Sequence, residues 1–150
     1  EKAALSDLEK LRNWIKTYPK HEKIAAFSVD LIDQIPFKGS IAPSGLVEIS
    51  RTEDVLGNVK TENQYNFGLY YAFRKDPDDD VEATKNAEWL MDFQKWIQEQ
   101  SVLRKAPAFG DKPSEERISA QNGSIYDATE DGTAIYMVLL SVNFTKYYSL

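Results

Sequence analysis

The stretch Asn63-Gln64-Tyr65-Asn66-Phe67-Gly68-Leu69-Tyr70-Tyr71-Ala72-Phe73-Arg74 decides how this chain folds. Tyr65, Phe67, Leu69, Tyr71 and Phe73 recur at every second position, with Asn66, Gly68, Ala72 and Arg74 on the alternate ones. Side chains along a strand point to opposite faces in turn, so this spacing predicts a strand with one bulky, mostly aromatic face. On its C-terminal side, Asp79 followed three residues later by Glu82 has the spacing of a capping box, where negative charge also suits the helix dipole. A helix is therefore expected from about Asp80 to Ser101. On a helical wheel Lys85, Glu88, Asp92, Lys95 and Glu99 share a narrow sector, while Ala87, Leu90, Met91, Phe93 and Ile97, with Trp89 and Trp96, cover much of the rest. That apolar arc is wider than one contact with a sheet requires.

Further out, Ile135 to Tyr148 puts Val138, Leu140, Val142 and Phe144 on one face and Ile135, Met137 and Leu139 on the other, the pattern of a central strand covered on both sides. Arg117 to Ala120 predicts a short strand, and Asn122-Gly123 a hairpin-like turn. Toward the N-terminus, Leu56-Gly57-Asn58 predicts a turn preceded by a short strand through Leu46, Val47 and Ile49. Pro36 to Gly45, with two prolines, two glycines and two serines, reads as loop. Phe27, Val29 and Leu31 alternate with Ser28, Asp30 and Ile32 as a half-buried strand would, a helix being the alternative. Leu5, Leu8, Leu11 and Ile15 share one side of a helix expected from about Lys2 to Thr17, ended by Tyr18-Pro19 because a residue before proline avoids the helical region. The fold class is α+β: two main helices packed on a mixed, mostly antiparallel sheet, in one domain spanning residues 1–150.

Composition narrows the function. The 150 residues are 42% hydrophobic, enough for one sizeable core, and 24 acidic against 18 basic residues give a formal charge of −6. That sign repels phosphate backbones and anionic lipid, so neither nucleic acid nor membrane is the expected partner. There are no cysteines, so disulfides and thiolate metal sites are excluded. No apolar run approaches the roughly 20 residues that cross a bilayer, and from Glu1 onward there is no apolar signal core. The chain is expected to be made in the cytoplasm.

Catalytic chemistry finds little to build on. His21, the single histidine, lies in the charged run Lys20-His21-Glu22-Lys23 and reads as a solvated turn residue. Asp76 to Asp80 offers carboxylates to a hard cation, but without calcium-loop spacing, and helix capping accounts for it. Glu48, Glu53, Asp54 and Glu62 are ordinary for exposed strands and turns. No phosphate loop and no nucleophile elbow is present. No enzyme, no metal and no cofactor are expected. Trp89 and Trp96, seven residues apart on the flank of the second helix, are either core or aromatic anchors for a neighbouring subunit. The loops Pro36 to Gly45 and Lys105 to Ser114 are long enough to be binding segments that order on assembly.

The strand "NQYNFGLYYAFRKD", the helix "NAEWLMDFQKWIQEQ", the proline loop "LRKAPAFGD" and the final strand "AIYMVLLSVNFTKYY" occur in an order that resembles the tail terminator, or minor capsid, proteins of phages and prophages of Gram-positive bacteria. The resemblance covers Gly45 to Tyr148. It implies a tail-terminator-like α+β fold and a homohexameric ring that caps the tail tube, ends its polymerisation and offers a joining surface to the head or neck. The implied partners are further copies of the chain, the tail tube protein and a head-tail connector or neck protein, with DNA only passing through the lumen. The implied location is a virion or a headless, phage-tail-like bacteriocin particle assembled in the bacterial cytoplasm. Trp89, Trp96, Phe109, Arg74 and Arg117 are the expected subunit or tube contacts. The alternatives are another head-tail connector or tail-completion protein, a monomeric small-molecule or peptide-binding module, and, last, a hydrolase.

Overall fold

The computed structural model describes residues 6–30, 35–75, 78, 80–129 and 132–149. At its centre, β3 (Val59–Arg74) and β5 (Thr133–Tyr148) pair antiparallel along their whole length, from Val59 against Tyr148 to Arg74 against Thr133. On the other side of β3 lies β2 (Lys38–Glu53), also antiparallel, followed by the short β1 (Ala26–Val29), which runs parallel to β2. The far side of β5 is taken by β4 (Arg117–Ala128), giving a five-stranded mixed sheet in the order β1-β2-β3-β5-β4. Two helices, α1 (Asp7–Ile15) and α2 (Asp80–Val102), complete an α+β fold.

The alternation in β3 does what its spacing predicts. Leu69, Tyr71 and Phe73 are fully buried beside Val138, Leu140 and Val142 of β5. Leu11 and Ile15 of α1 and Leu90, Phe93 and Ile97 of α2 close over them. The wide apolar arc of α2 has a simple cause: besides the sheet it meets α1, where Trp14 stacks on Trp96 with ring centroids 5.0 Å apart. Trp89 faces Tyr71 and Phe73 at 4.8 and 5.1 Å. Its indole N–H donates to the Lys20 carbonyl at 3.0 Å, the partner that a buried indole requires. The Ser6 hydroxyl caps α1 by accepting from the Glu9 N–H at 3.2 Å. The Arg12 guanidinium donates twice to the Phe27 carbonyl, at 2.6 and 3.1 Å, tying α1 to β1.

Several expectations are corrected. Pro36 to Gly45 is not a loop: β2 begins at Lys38 and continues through Pro43. The proline lies past the end of the β1 pairing and beside a bulge between Pro43 and Gly45, an edge setting that tolerates a missing N–H. Gly45, at φ +98°, takes the left-handed turn of that bulge. Asn122-Gly123 does not reverse the chain. It forms a bulge within β4 between Gln121 and Ser124, and a Cβ on Gly123 would lie 2.5 Å from Gln94 Oε1, so the glycine makes room for the α2 side chain. β5 is central, as expected, and its face away from the helices is covered in part: Ile135 is buried there with Ala72 beside it, whereas Leu139 is 39% exposed. The first helix starts at Asp7 rather than Lys2, with residues 1–5 outside the described residues. Leu31, Ile32 and the capping-box Asp79 also lie outside them.

Removing a fully buried ring from this layer forfeits its transfer energy and leaves a cavity. Phe93→Ala is expected to lower the unfolding free energy by about 3–5 kcal/mol in denaturant titration. Met91→Ala, two positions away on the exposed side of α2, should stay within about 0.5 kcal/mol of the parent.

Candidate functional site

In the hairpin formed by β2 and β3, the outer half of β3 is backed by β5 but the outer half of β2 is uncovered. From Pro43 to Glu53 every residue of β2 is exposed. β1 pairs β2 only from Lys38 to Ile41, so the outer edge beyond carries backbone donors and acceptors with no strand beside them among the described residues. Leu46, Val47 and Ile49 stand about half exposed on this arm, and at its apex Val55 is fully and Leu56 79% exposed. The edge carries Pro43, Glu48, Arg51 and Glu53, the kind of residues that keep an exposed strand from pairing with another chain, so the apolar tip is the feature that promotes association.

The arm's carboxylates hold its own shape. Asp54 accepts from the N–H groups of Leu56 and Asn58 at 2.9 and 3.0 Å and from the Asn58 side-chain amide at 3.2 Å. These bonds, that from the Asn58 N–H foremost, keep its carboxyl below the ordinary carboxylate range. Glu48 pairs with Arg51 at 2.8 Å, and Glu62 accepts from Ser50 Oγ at 3.1 Å. Strung along the hairpin, these groups stabilise a turn and a ladder and do not converge on a reacting centre. Among the described residues no His, Asp and Glu cluster has metal-binding geometry; Asp76 and Asp79 lie outside them.

The five nominated contact residues are scattered. Trp89 and Phe109 are each 5% exposed and packed inside the subunit. Phe109 meets Tyr65 edge-on at 6.3 Å, while its N–H and that of Gly110 donate to the two Glu116 oxygens at 2.6 and 3.2 Å. Trp96 is half-buried against Trp14, Tyr18 and Phe93. Arg74 and Arg117 are exposed but stand opposite Thr133 and Asn143, ten positions apart along β5, a separation of roughly 33 Å. Arg117 lines an open groove of about 550 Å³ between α2 and the outer edge of β4. There Gln94 Nε2 donates to the Ala120 carbonyl at 3.2 Å, and Ser101 Oγ accepts from the Ile118 N–H at 3.0 Å. The arm itself escaped the sequence reading, although an apolar Val55-Leu56 immediately before a glycine turn was a usable signal.

His21 is also corrected: it is buried, 4% exposed. The 3-10 turn Pro19–Lys23 carries its ring inward between Phe27, Tyr71 and Trp89, and Nε2 lies 3.1 Å from the Tyr71 hydroxyl. Burial, aided by the charge of Lys16, pushes the imidazole from 6.5 down to about 4. The folded chain thus holds a neutral ring that the unfolded chain protonates more readily.

The His21 contribution to stability is fully present above the unfolded value of 6.5 and is lost as pH falls toward about 4, a change of about 3 kcal/mol. Across that window the parent should lose stability more steeply than His21→Gln, by about that amount, in denaturant titrations at stepped pH. Because the arm tip touches no core, Val55→Asp with Leu56→Asp should leave the unfolding free energy within about 0.5 kcal/mol; a larger loss would show that the tip is needed for folding.

No known family model matches this chain, and no curated protein is detectably similar to it.

Proposed function

We propose that this chain is a ring-forming tail terminator subunit of a phage or phage-tail-like particle. Copies close into a homohexamer on the end of the tail tube, stop its growth and present the surface to which a head or neck protein joins. The tail-terminator-like character of the fold is part of the same proposal. The observation that carries it is the outer half of β2 with the tip that follows it, which has an unpaired edge and apolar residues and makes sense once another protein surface covers it. Support also comes from the sheet's two edges, which differ in shape and chemistry. A contact between unlike surfaces is heterologous, and heterologous contacts generate rings when the rotation closes. The chain's net charge of −6 is compatible with this role, since an acidic lumen would let DNA pass without sticking.

The test is mass by light scattering over a concentration series, together with negative-stain imaging after mixing with tail tubes from the same source. Rings of six, or caps on tube ends, are the expected result. A monomer at every concentration that also ignores tubes sinks the reading and brings forward a monomeric binding module, for which the groove beside α2 is the place to look.

A further inference from the structure

We propose that the arm of one copy seats in the groove between α2 and β4 of the next, and that this is the contact that propagates the ring. The inference rests on the ring reading and names the surfaces that would make it.

Charge is the first reason. The arm carries four carboxylates, Glu48, Glu53, Asp54 and Glu62, against two cations, Arg51 and Lys60, and Arg51 is shared by Glu48 and Glu53. The groove has the opposite character. Lys95, Arg104 and Arg117 line it and form no ion pair among the described residues, while its one carboxylate, Glu116, is engaged by the N–H groups of Phe109 and Gly110. The arm is thus net negative and the groove lining net positive, and opposite charge draws the two surfaces together.

Apolar surface is matched in the same way. Val55 and Leu56 protrude at the tip, and Val102, 72% exposed, lines the groove at the end of α2. Topology then selects a second copy as the occupant. The arm belongs to β2 and the groove to β4, with β3 and β5 between them, so the two surfaces lie toward opposite edges of one sheet. A donor toward one edge and its acceptor toward the other is the arrangement that repeats head to tail from copy to copy.

The chain contains no cysteine, which makes the test direct. Full-length Val55→Cys and Val102→Cys variants, checked for native unfolding, are mixed over a concentration series, oxidised and monitored by gel and light scattering. Mixed adducts between the two variants, exceeding adducts of Val55→Cys with itself, are expected. Arg104→Glu should reduce them by roughly tenfold, and Glu53→Lys placed on the arm-donating variant should restore them. Association without a mixed adduct, or adducts unaffected by the charge changes, overturns this contact while leaving the ring intact. Failure to associate at any concentration, with or without tail tubes, removes both.

Discussion

The uninterrupted pairing of β3 with β5 is the constraint on which the rest of the molecule depends. With Val59 opposite Tyr148 and Arg74 opposite Thr133, the register leaves no freedom about which side chains share a face, because a slip of one residue would turn the whole aromatic row outward. Phe67, Leu69, Tyr71 and Phe73 are thereby set next to Leu140, Val138, Tyr136 and Ala134 as one continuous apolar floor. The helices lie where they do because that floor has to be covered, and α2 is held at its start by the Asn86 amide donating to the Arg74 carbonyl at 3.0 Å.

The unequal covering of the two faces also decides where polar groups can sit. Lodged in the aromatic layer are His21 and Tyr71, whose burial drives the imidazole down and the phenol well above its usual 10. Both are thus neutral near pH 7 and partner each other, which is how a packed interior accommodates polar atoms. The opposite face of the sheet is treated differently. It carries hydrogen-bonded amides and hydroxyls, with Gln64 donating to Asn143 at 3.0 Å and Ser141 to Asn66 at 2.8 Å. The second face of β5 is therefore wetter than its apolar Met137 and Leu139 imply.

Much of the architecture was readable in residue spacing. The period-two row of β3 and the long amphipathic pattern of α2 each name their own structure, since both periodicities persist over several turns or pleats. Errors occurred where one local signal competed with a tertiary one. Proline and glycine between Pro36 and Gly45 indicate a loop by composition, yet an edge strand with a bulge accepts both. Asn122-Gly123 has turn chemistry, but the space beside Gln94 is what requires the glycine. His21 sits among charged neighbours, and only the inward rotation of one 3-10 turn hides it. For the candidate contacts sequence is a weak guide, because an aromatic on a helix flank looks alike whether it meets α1 of its own chain, as Trp96 does, or another molecule.

The arm also differs from the rest of the fold in how it is held. Beyond Pro43 it has no layer packed on β2, and its integrity rests on ladder bonds, the Asp54 turn and surface ion pairs. Such a segment opens on its own, without waiting for the global transition. The amides of β2 beyond Pro43 are expected to exchange with solvent hydrogen sooner than those of β3 and β5, which lie between neighbouring strands. The molecule consequently has two stabilities: a high one for the layer beneath the helices, and a low one for the outer half of β2.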